Sequence, residues 1–407
     1  MLISLAWKNI WRNKVRSGIM MMAILLGLTG GMFISAINVG MMNQRIQSAI
    51  ENEVSNLQVH NPHFLLEKEL ADTISDVANI IQTLESNKDV KAVASRIKIT
   101  GMAQSAAKAS GITIMGVDPD KEMQVTGLYK FVPDSMGTFF GEEKKNAVVI
   151  GNKLAEELKV GLRSKLILVF QTERGEVTQE AFRITGIFKT KNSAFDQTTV
   201  FVRDKELAAA IGFSSFKSHE IAVALRNDSS NNSVVQSLTR QFPSSKTESW
   251  KKIMPELGMM ADSANMMLYV LMIIILAALF FGIVNTMMMS VLERTRELGM
   301  LMALGLSKGR LFRLIMLESV LLSLTGALMG MLFSYGLIRY YDHYGFDLSK
   351  FASGMEKIGY DAIIHPSLDV EFYVVLTILV FITGIVSAVF PVSKALRLKP
   401  VEAIRVL

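Results

Sequence analysis

The chain has 407 residues, half of them hydrophobic, and carries 43 Lys and Arg against 37 Asp and Glu for a net charge of +6. This composition argues against a purely soluble protein and for a membrane protein with a sizeable soluble part. There is no cysteine, so neither a disulfide framework nor a thiolate metal site can form. The bases flank apolar runs instead of forming a stripe of their own, so no nucleic-acid partner is expected.

Residues 1–17 intersperse Leu5, Trp7, Ile10 and Trp11 with Lys8, Arg12 and Lys14, the pattern of a helix lying in a membrane interface. We read them as an interfacial elbow. Residues 18–42 form the first of four apolar stretches of the roughly 20 residues needed to cross a bilayer. It exceeds the about 7–15 residues of a signal-peptide core, so an uncleaved anchor is expected. Gly27, Gly30 and Gly31 should allow close contact with another span. Ile46, Ala49, Ile50 and Val54 continue the helical pattern beyond the membrane.

Residues 43–264 alternate short β-rich runs with amphipathic helices. The pattern predicts strands over 90–99, 111–117, 147–150, 198–202 and 220–225, helices over 73–84, 152–159, 205–211 and 234–242, and a hairpin joining 166–171 to 181–188. Asp118-Pro119 reads as a turn. This is an α+β domain large enough for its own core.

The second span, 265–292, is rich in methionine, which suits an adaptable apolar surface and equally suits ordinary packing. Residues 293–312 form a charged amphipathic segment. The third span is 313–338, with Gly326 and Gly330 spaced for helix packing, and the fourth is 371–392, with Gly384 and Ala388 at the same spacing. Residues 339–370 form a loop, and 393–407 a basic tail. Lys8, Arg12, Lys14 and Arg16, then Arg294, Arg296, Lys308, Arg310 and Arg313, then Lys394, Arg397, Lys399 and Arg405 all fall on one side, which the positive-inside rule makes cytoplasmic. Asp342, Asp347, Glu356, Asp361 and Asp369 then lie outside, together with the α+β domain. Glu318, a carboxylate in an apolar run, is expected to pair with Arg294, Arg310 or Arg313.

Nothing in the sequence has the form of a phosphate loop, an HExxH zinc helix or a GxSxG elbow. The five histidines form no helical pair, and Asn61-Pro62 between His60 and His63 prevents a regular helix there. An energy source therefore has to be a partner.

ERTRELGMLMALG at 293–305, the following SKGRLFRLIMLESVLLSLTGALMG, the ending PVSKALRLKPVEAIRVL and the opening AWKNIWRNKVRS resemble ABC transporter permeases of the MacB/FtsX-like superfamily. GVDP at 116–119, GIF at 186–188 and Ser249-Trp250 look closest to its lipoprotein-releasing LolC/LolE branch. The resemblance implies a fold of four transmembrane helices with a large α+β periplasmic domain between helices 1 and 2. It also implies a multi-pass protein of the bacterial inner membrane with both termini cytoplasmic.

By the same resemblance the chain is non-catalytic. It dimerises with a second copy or a related permease and binds a cytoplasmic ABC ATPase dimer, which supplies the ATP and Mg chemistry. The coupling helix implied by the resemblance comprises Glu293, Arg294, Arg296, Glu297, Leu298, Leu301, Ala303, Leu304 and Gly305. Its apolar stripe runs through Leu298, Leu301 and Met302; Gly305 ends the helix and Ser307 caps the next. Partners implied are membrane lipids, a lipoprotein substrate and a periplasmic carrier or adaptor. By position, acyl chains would meet Met32, Phe33, Met266, Met267 and Tyr269. The hairpin tip at 171–180 lacks the proline-bearing extension with which one LolC/LolE member grips its carrier. The alternatives are a MacB-like efflux permease for peptides or drugs and an FtsX-like regulator of a periplasmic enzyme.

Overall fold

A computed structural model describes the chain except residues 1, 13, 68, 142–144, 214–216, 228–229 and 397–407; Arg397, Lys399 and Arg405 of the basic tail lie outside the described residues. Two compact units are formed. One comprises Met1–Met42, Asp262–Asp347 and Ile363–Leu407, the other Asn43–Ala261 and Leu348–Ala362.

The first unit is a helical bundle. Four helices, Lys14–Ala49, Pro255–Glu293, Lys308–Tyr344 and Val370–Leu396, contain windows apolar enough to cross a membrane. They are preceded by the elbow helix Leu2–Arg12. The bundle core takes Leu28 and Met32 from the first span, Ile283 and Met287 from the second, Leu311 and Ile315 from the third, and Leu376 and Val380 from the fourth. Small residues set the contacts. A Cβ at Gly326 would lie 3.1 Å from the Ile24 side chain, and one at Gly330 would lie 3.2 Å from the Leu25 backbone. Thr29 Oγ1 donates to the Gly330 carbonyl at 3.3 Å across the same seam. A Cβ at Gly384 of the fourth span would lie 3.2 Å from the Cβ of Ser323 of the third. Of Gly27, Gly30 and Gly31, it is at Gly31 that a Cβ would meet another span, against Ile275; at Gly27 and Gly30 a Cβ would find nothing within 4 Å.

Gly330→Leu should therefore push the first and third spans apart, at about 1–3 kcal/mol for overpacking. Gly336→Leu, where a side chain meets nothing within 4 Å, is the matched control. The thermal midpoint of the purified full chain should fall for the first variant and hold for the second; equal midpoints would remove Gly330 from the seam.

The second unit is built on a sheet of nine strands: β1 Leu57–His60, β2 Val90–Gln104, β3 Ala109–Val117, β4 Ala147–Gly151, β5 Lys165–Gln171, β6 Val177–Phe188, β7 Thr199–Arg203, β8 Glu220–Leu225 and β9 Lys246–Ser249. The order is β3-β7-β4-β6-β5-β2-β8-β1-β9, and β3 also pairs with β2. Six strands thus close into a ring, from which β8, β1 and β9 extend along the first half of β2. Sharing β2 between β3 and β5 requires Gly101: it pairs with Ile112 and Phe170, and a Cβ there would lie 2.6 Å from the Val169 carbonyl.

β2 runs on to Gln104, past the expected end at 99, β6 begins at Val177 instead of 181, and β9 is a strand beyond those expected. Asp118-Pro119 opens a helix, Pro119–Val125, instead of a turn: the Asp118 carboxylate accepts from Asp120 N at 3.1 Å and Pro119 occupies the first helical turn. The 339–370 loop is not one piece. Phe346–Asp347 pairs with Ile363–Ile364 at its neck, while 348–362 belongs to the α+β unit, where Asp361 forms an ion pair with Lys191.

Candidate functional site

The amphipathic segment after the second span breaks at Arg294 and resumes as the helix Thr295–Ala303. Its end is a Schellman-type cap: Gly305 sits at φ +93°, Gly305 N donates to Met302 O at 3.1 Å and Leu306 N to Leu301 O at 3.0 Å. Ser307 stands at the start of the third span but makes no side-chain cap. Its carbonyl alone serves, accepting from Arg310 N and Leu311 N at 2.9 and 3.1 Å.

The expected partner face divides in two. Leu298, 2% exposed, turns into the bundle core, where partly buried Met302 and Leu306 join it. Leu301 is half-buried. The outward face is Arg296, Met300, Ala303 and Leu304, with Leu304 85% exposed. Leu298 therefore anchors this helix to the bundle, which takes the more continuous part of the apolar stripe.

Arg294 and Glu297 are also engaged within the protein. Arg294 Nη1 donates to both oxygens of Glu318 at 3.0 and 3.1 Å, and Arg294 Nε to Glu297 at 3.2 Å. Arg12 of the elbow helix pairs with the same Glu297 carboxylate. Its hydrogen bonds from Arg12 and Arg294 hold the Glu297 carboxyl below the usual range. Of the three bases expected for Glu318, Arg294 forms an ion pair with it at 3.0 Å. This chain of charges ties the elbow helix, the coupling segment and the third span, and lines a polar cavity of about 280 Å3 with Asn9, Ser17, Ser290 and Glu293. The elbow helix is seated by buried Ala6 and Ile10, and Ser17 Oγ donates to Ile10 O at 2.7 Å. Its Trp7 and Trp11 face outward, edge to face at 6.0 Å.

The acyl-chain residues are not brought together. Met32 is fully buried on the stripe Leu28, Met32, Ala36, and Phe33 packs on Tyr341 and Phe346 with ring centroids 5.4 and 5.7 Å away. Met266, Met267 and Tyr269 are exposed. What lies between the first and second spans is an apolar groove of about 380 Å3 floored by Gly27 and Gly31 and walled by Ile34, Ile274, Ala278 and Gly282. Gly27, Gly31 and Ile34 share a helical face about 130° away from Met32. The glycines were visible in the sequence; that Gly27 opens a groove while Gly31 meets Ile275 depends on the rotation of the helix. Among the described residues no three His, Asp or Glu side chains converge to hold a metal ion.

A four-span bundle with an α+β domain after its first helix and a short amphipathic helix between its second and third spans defines a membrane permease. Residues 17–241 match the MacB-like periplasmic core domain and 269–400 the FtsX-like permease C-terminal domain. The chain belongs to the MacB/FtsX-like family of ABC transporter permeases. It is 25% identical, over 97% of its length, to the macrolide export ATP-binding/permease protein MacB of Bdellovibrio bacteriovorus, of which it spans only 60%. It is 21% identical to the lipoprotein-releasing system transmembrane protein LolE of Haemophilus influenzae, covering 82% of this chain and 81% of that one. With the ABC transporter permease YknZ of Bacillus subtilis it shares 24% identity over 99% and 98% of the two chains. The MacB and YknZ relatives stand as near as LolE, so the family is shared but no branch is singled out.

Proposed function

We propose that this chain is the mechanical membrane subunit of an ABC complex that extracts lipoproteins from the outer leaflet of the bacterial inner membrane. The observation that carries the reading is the apolar groove between the first and second spans. Two copies, or one copy and a related permease, assemble with a cytoplasmic ATPase pair that binds ATP and Mg. ATP-driven closure pushes on Arg296, Met300, Ala303 and Leu304; Leu298 and the Arg294–Glu318 pair pass the push to the bundle. The α+β domain and the 348–362 segment then face the periplasm, and both termini the cytoplasm. A carrier or adaptor on the periplasmic side receives the cargo.

The test is reconstitution with the ATPase and a triacylated lipoprotein, following ATP-dependent release to an acceptor. Gly27→Trp, which fills the groove without meeting any neighbour at its Cβ, should reduce release by about ten-fold or more, the loss of one well-placed apolar contact surface. Absence of release by the unaltered chain would remove the lipoprotein assignment. The likeness to the macrolide-export relative over 97% of the chain supports a second reading, export of peptides or drugs. ATP-dependent transport that ignores acylation and Gly27→Trp would select it.

A further inference from the structure

A cavity of about 600 Å3 in the α+β unit has a floor made by alternate positions of adjacent strands. In one row Arg96 stands beside Glu220. In the next, Lys98 is in register with Met115, and Met115 with Phe201. In the third, Thr100 pairs with Thr113 and Thr113 with Thr199. Phe64 and Phe195 wall the middle, and Lys246, Glu248 and Lys252 stand on the charged side. The lining thus grades from charged through aromatic to hydroxyl within one chamber. Its size falls in the range of about 300–1,000 Å3 usual for small-molecule sites.

The charges do not cancel. Arg96 is closed off by Glu122 and Glu220, and Lys98 gives Glu220 one hydrogen bond at 3.2 Å while its side chain stays 31% exposed. Lys246 pairs with Glu248 at 3.0 Å, and Arg45 with Glu53 at 2.8 Å. His60 lies 3.3 Å from Glu248, and burial lowers its pKa, so it adds no charge near neutral pH. Five cations thus face four carboxylates. Lys252, exposed on the rim, has no ion pair among the described residues. At the opposite end, the hydroxyls of Thr100, Thr113 and Thr199 make no hydrogen bond to protein among the described residues. Both ends of the chamber offer polar groups that the protein does not use.

We propose that this cavity binds an amphipathic small molecule with a single anionic group, held by Lys252 and Lys98. Its apolar body lies over Met115 and Phe201, between Phe64 and Phe195, and a neutral polar group reaches the threonine row. The site goes beyond the transport reading and does not rest on it, because occupancy is measured without ATP or an ATPase.

The test is equilibrium dialysis of the full chain in zwitterionic nanodiscs against 1-naphthaleneacetate and its uncharged amide, with empty discs subtracted. Saturable uptake of the acetate is expected, with the amide bound about five-fold more weakly for want of one Coulomb pair at a half-exposed site. Lys252→Glu should weaken the acetate about ten-fold and leave the amide unchanged. Thr113→Trp should abolish uptake of both by filling the chamber. Three results would overturn the proposal: no saturable uptake at millimolar acetate, equal affinity of Lys252→Glu for the acetate, or uptake unaltered by Thr113→Trp. Lys252 is exposed, so its variant carries the charge arm even where the tryptophan disturbs folding.

Discussion

Arg96→Met is expected to cost the α+β domain about 3–5 kcal/mol, the penalty for stranding a buried charge when its partner is removed. The guanidinium is 1% exposed, as are Glu122 and Glu220. It binds Glu122 through two nitrogens at 3.0 and 2.7 Å and Glu220 through a third at 2.7 Å. Thr126 Oγ1 supports Glu122 at 3.2 Å. The arginine thereby joins β2, β8 and the helix Pro119–Val125.

The pH dependence should change sign. Burial alone would raise the Glu220 pKa, but Lys98 and Arg96 outweigh it and hold it below the ordinary 4.5. A depressed carboxyl contributes stability that is present above its unfolded pKa and lost as pH falls through the folded one, so the unaltered domain weakens in acid. Without Arg96, the acids it held are buried with too little positive charge. With Arg96 gone, burial pushes the Glu220 carboxyl up, and the variant should gain stability as pH falls from about 7 to 5. Hydrogen exchange of β2 and β8 in the full chain reads both effects. Equal protection at pH 7, or the same pH slope in both proteins, would show that the cluster is not the clamp its geometry describes.

That cluster was not legible in the sequence. Arg96 is 26 residues from Glu122 and 124 from Glu220, and a charge within an alternating strand reads as a solvated position until its neighbours are known. The features read correctly were local ones. Spans of about 20 apolar residues, basic flanks and an amphipathic start each carry their cause within one helix. Glu318 was assigned a basic partner because a carboxylate in an apolar run needs one nearby, and Arg294 answers.

Faces were harder than elements. An amphipathic helix beside a bundle has two claimants for its apolar side, so the stripe alone does not say that Leu298 lies inward while Leu304 faces out. Met32 and Gly27 differ by a rotation about one helix axis, which no spacing rule supplies without knowing where the second span stands. Gly101, which lets β2 serve two strands at once, is visible as a glycine but not as a junction.

At the base of the bundle, two substitutions about ten residues apart should fail in different ways. Leu304→Asp changes a side chain that is 85% exposed, so the chain itself should keep its stability within about 0.5 kcal/mol. If that face receives the ATPase, a carboxylate forced into the apolar contact should weaken association by about 100-fold, a hot-spot loss of about 3 kcal/mol. Arg294→Met acts from inside: it leaves Glu318, 7% exposed, without that cation and frees the coupling helix from the third span. It should lower bundle stability by about 3 kcal/mol, while Arg296, Met300 and Leu304 remain available to the partner.

Adding Glu318→Gln to Arg294→Met removes the buried carboxylate that has lost this cation and should restore most of the stability, but not the pinned position of the helix. The double variant should then bind the ATPase and fail to pass on its motion, with ATP hydrolysed at a rate no longer raised by cargo. Thermal midpoints, ATPase co-purification and cargo-stimulated hydrolysis separate the three variants. Normal ATPase binding by Leu304→Asp would move the docking face elsewhere on the chain. Full cargo stimulation in the double variant would show that Leu298 alone seats the helix, leaving the Arg294–Glu318 pair to satisfy a buried charge.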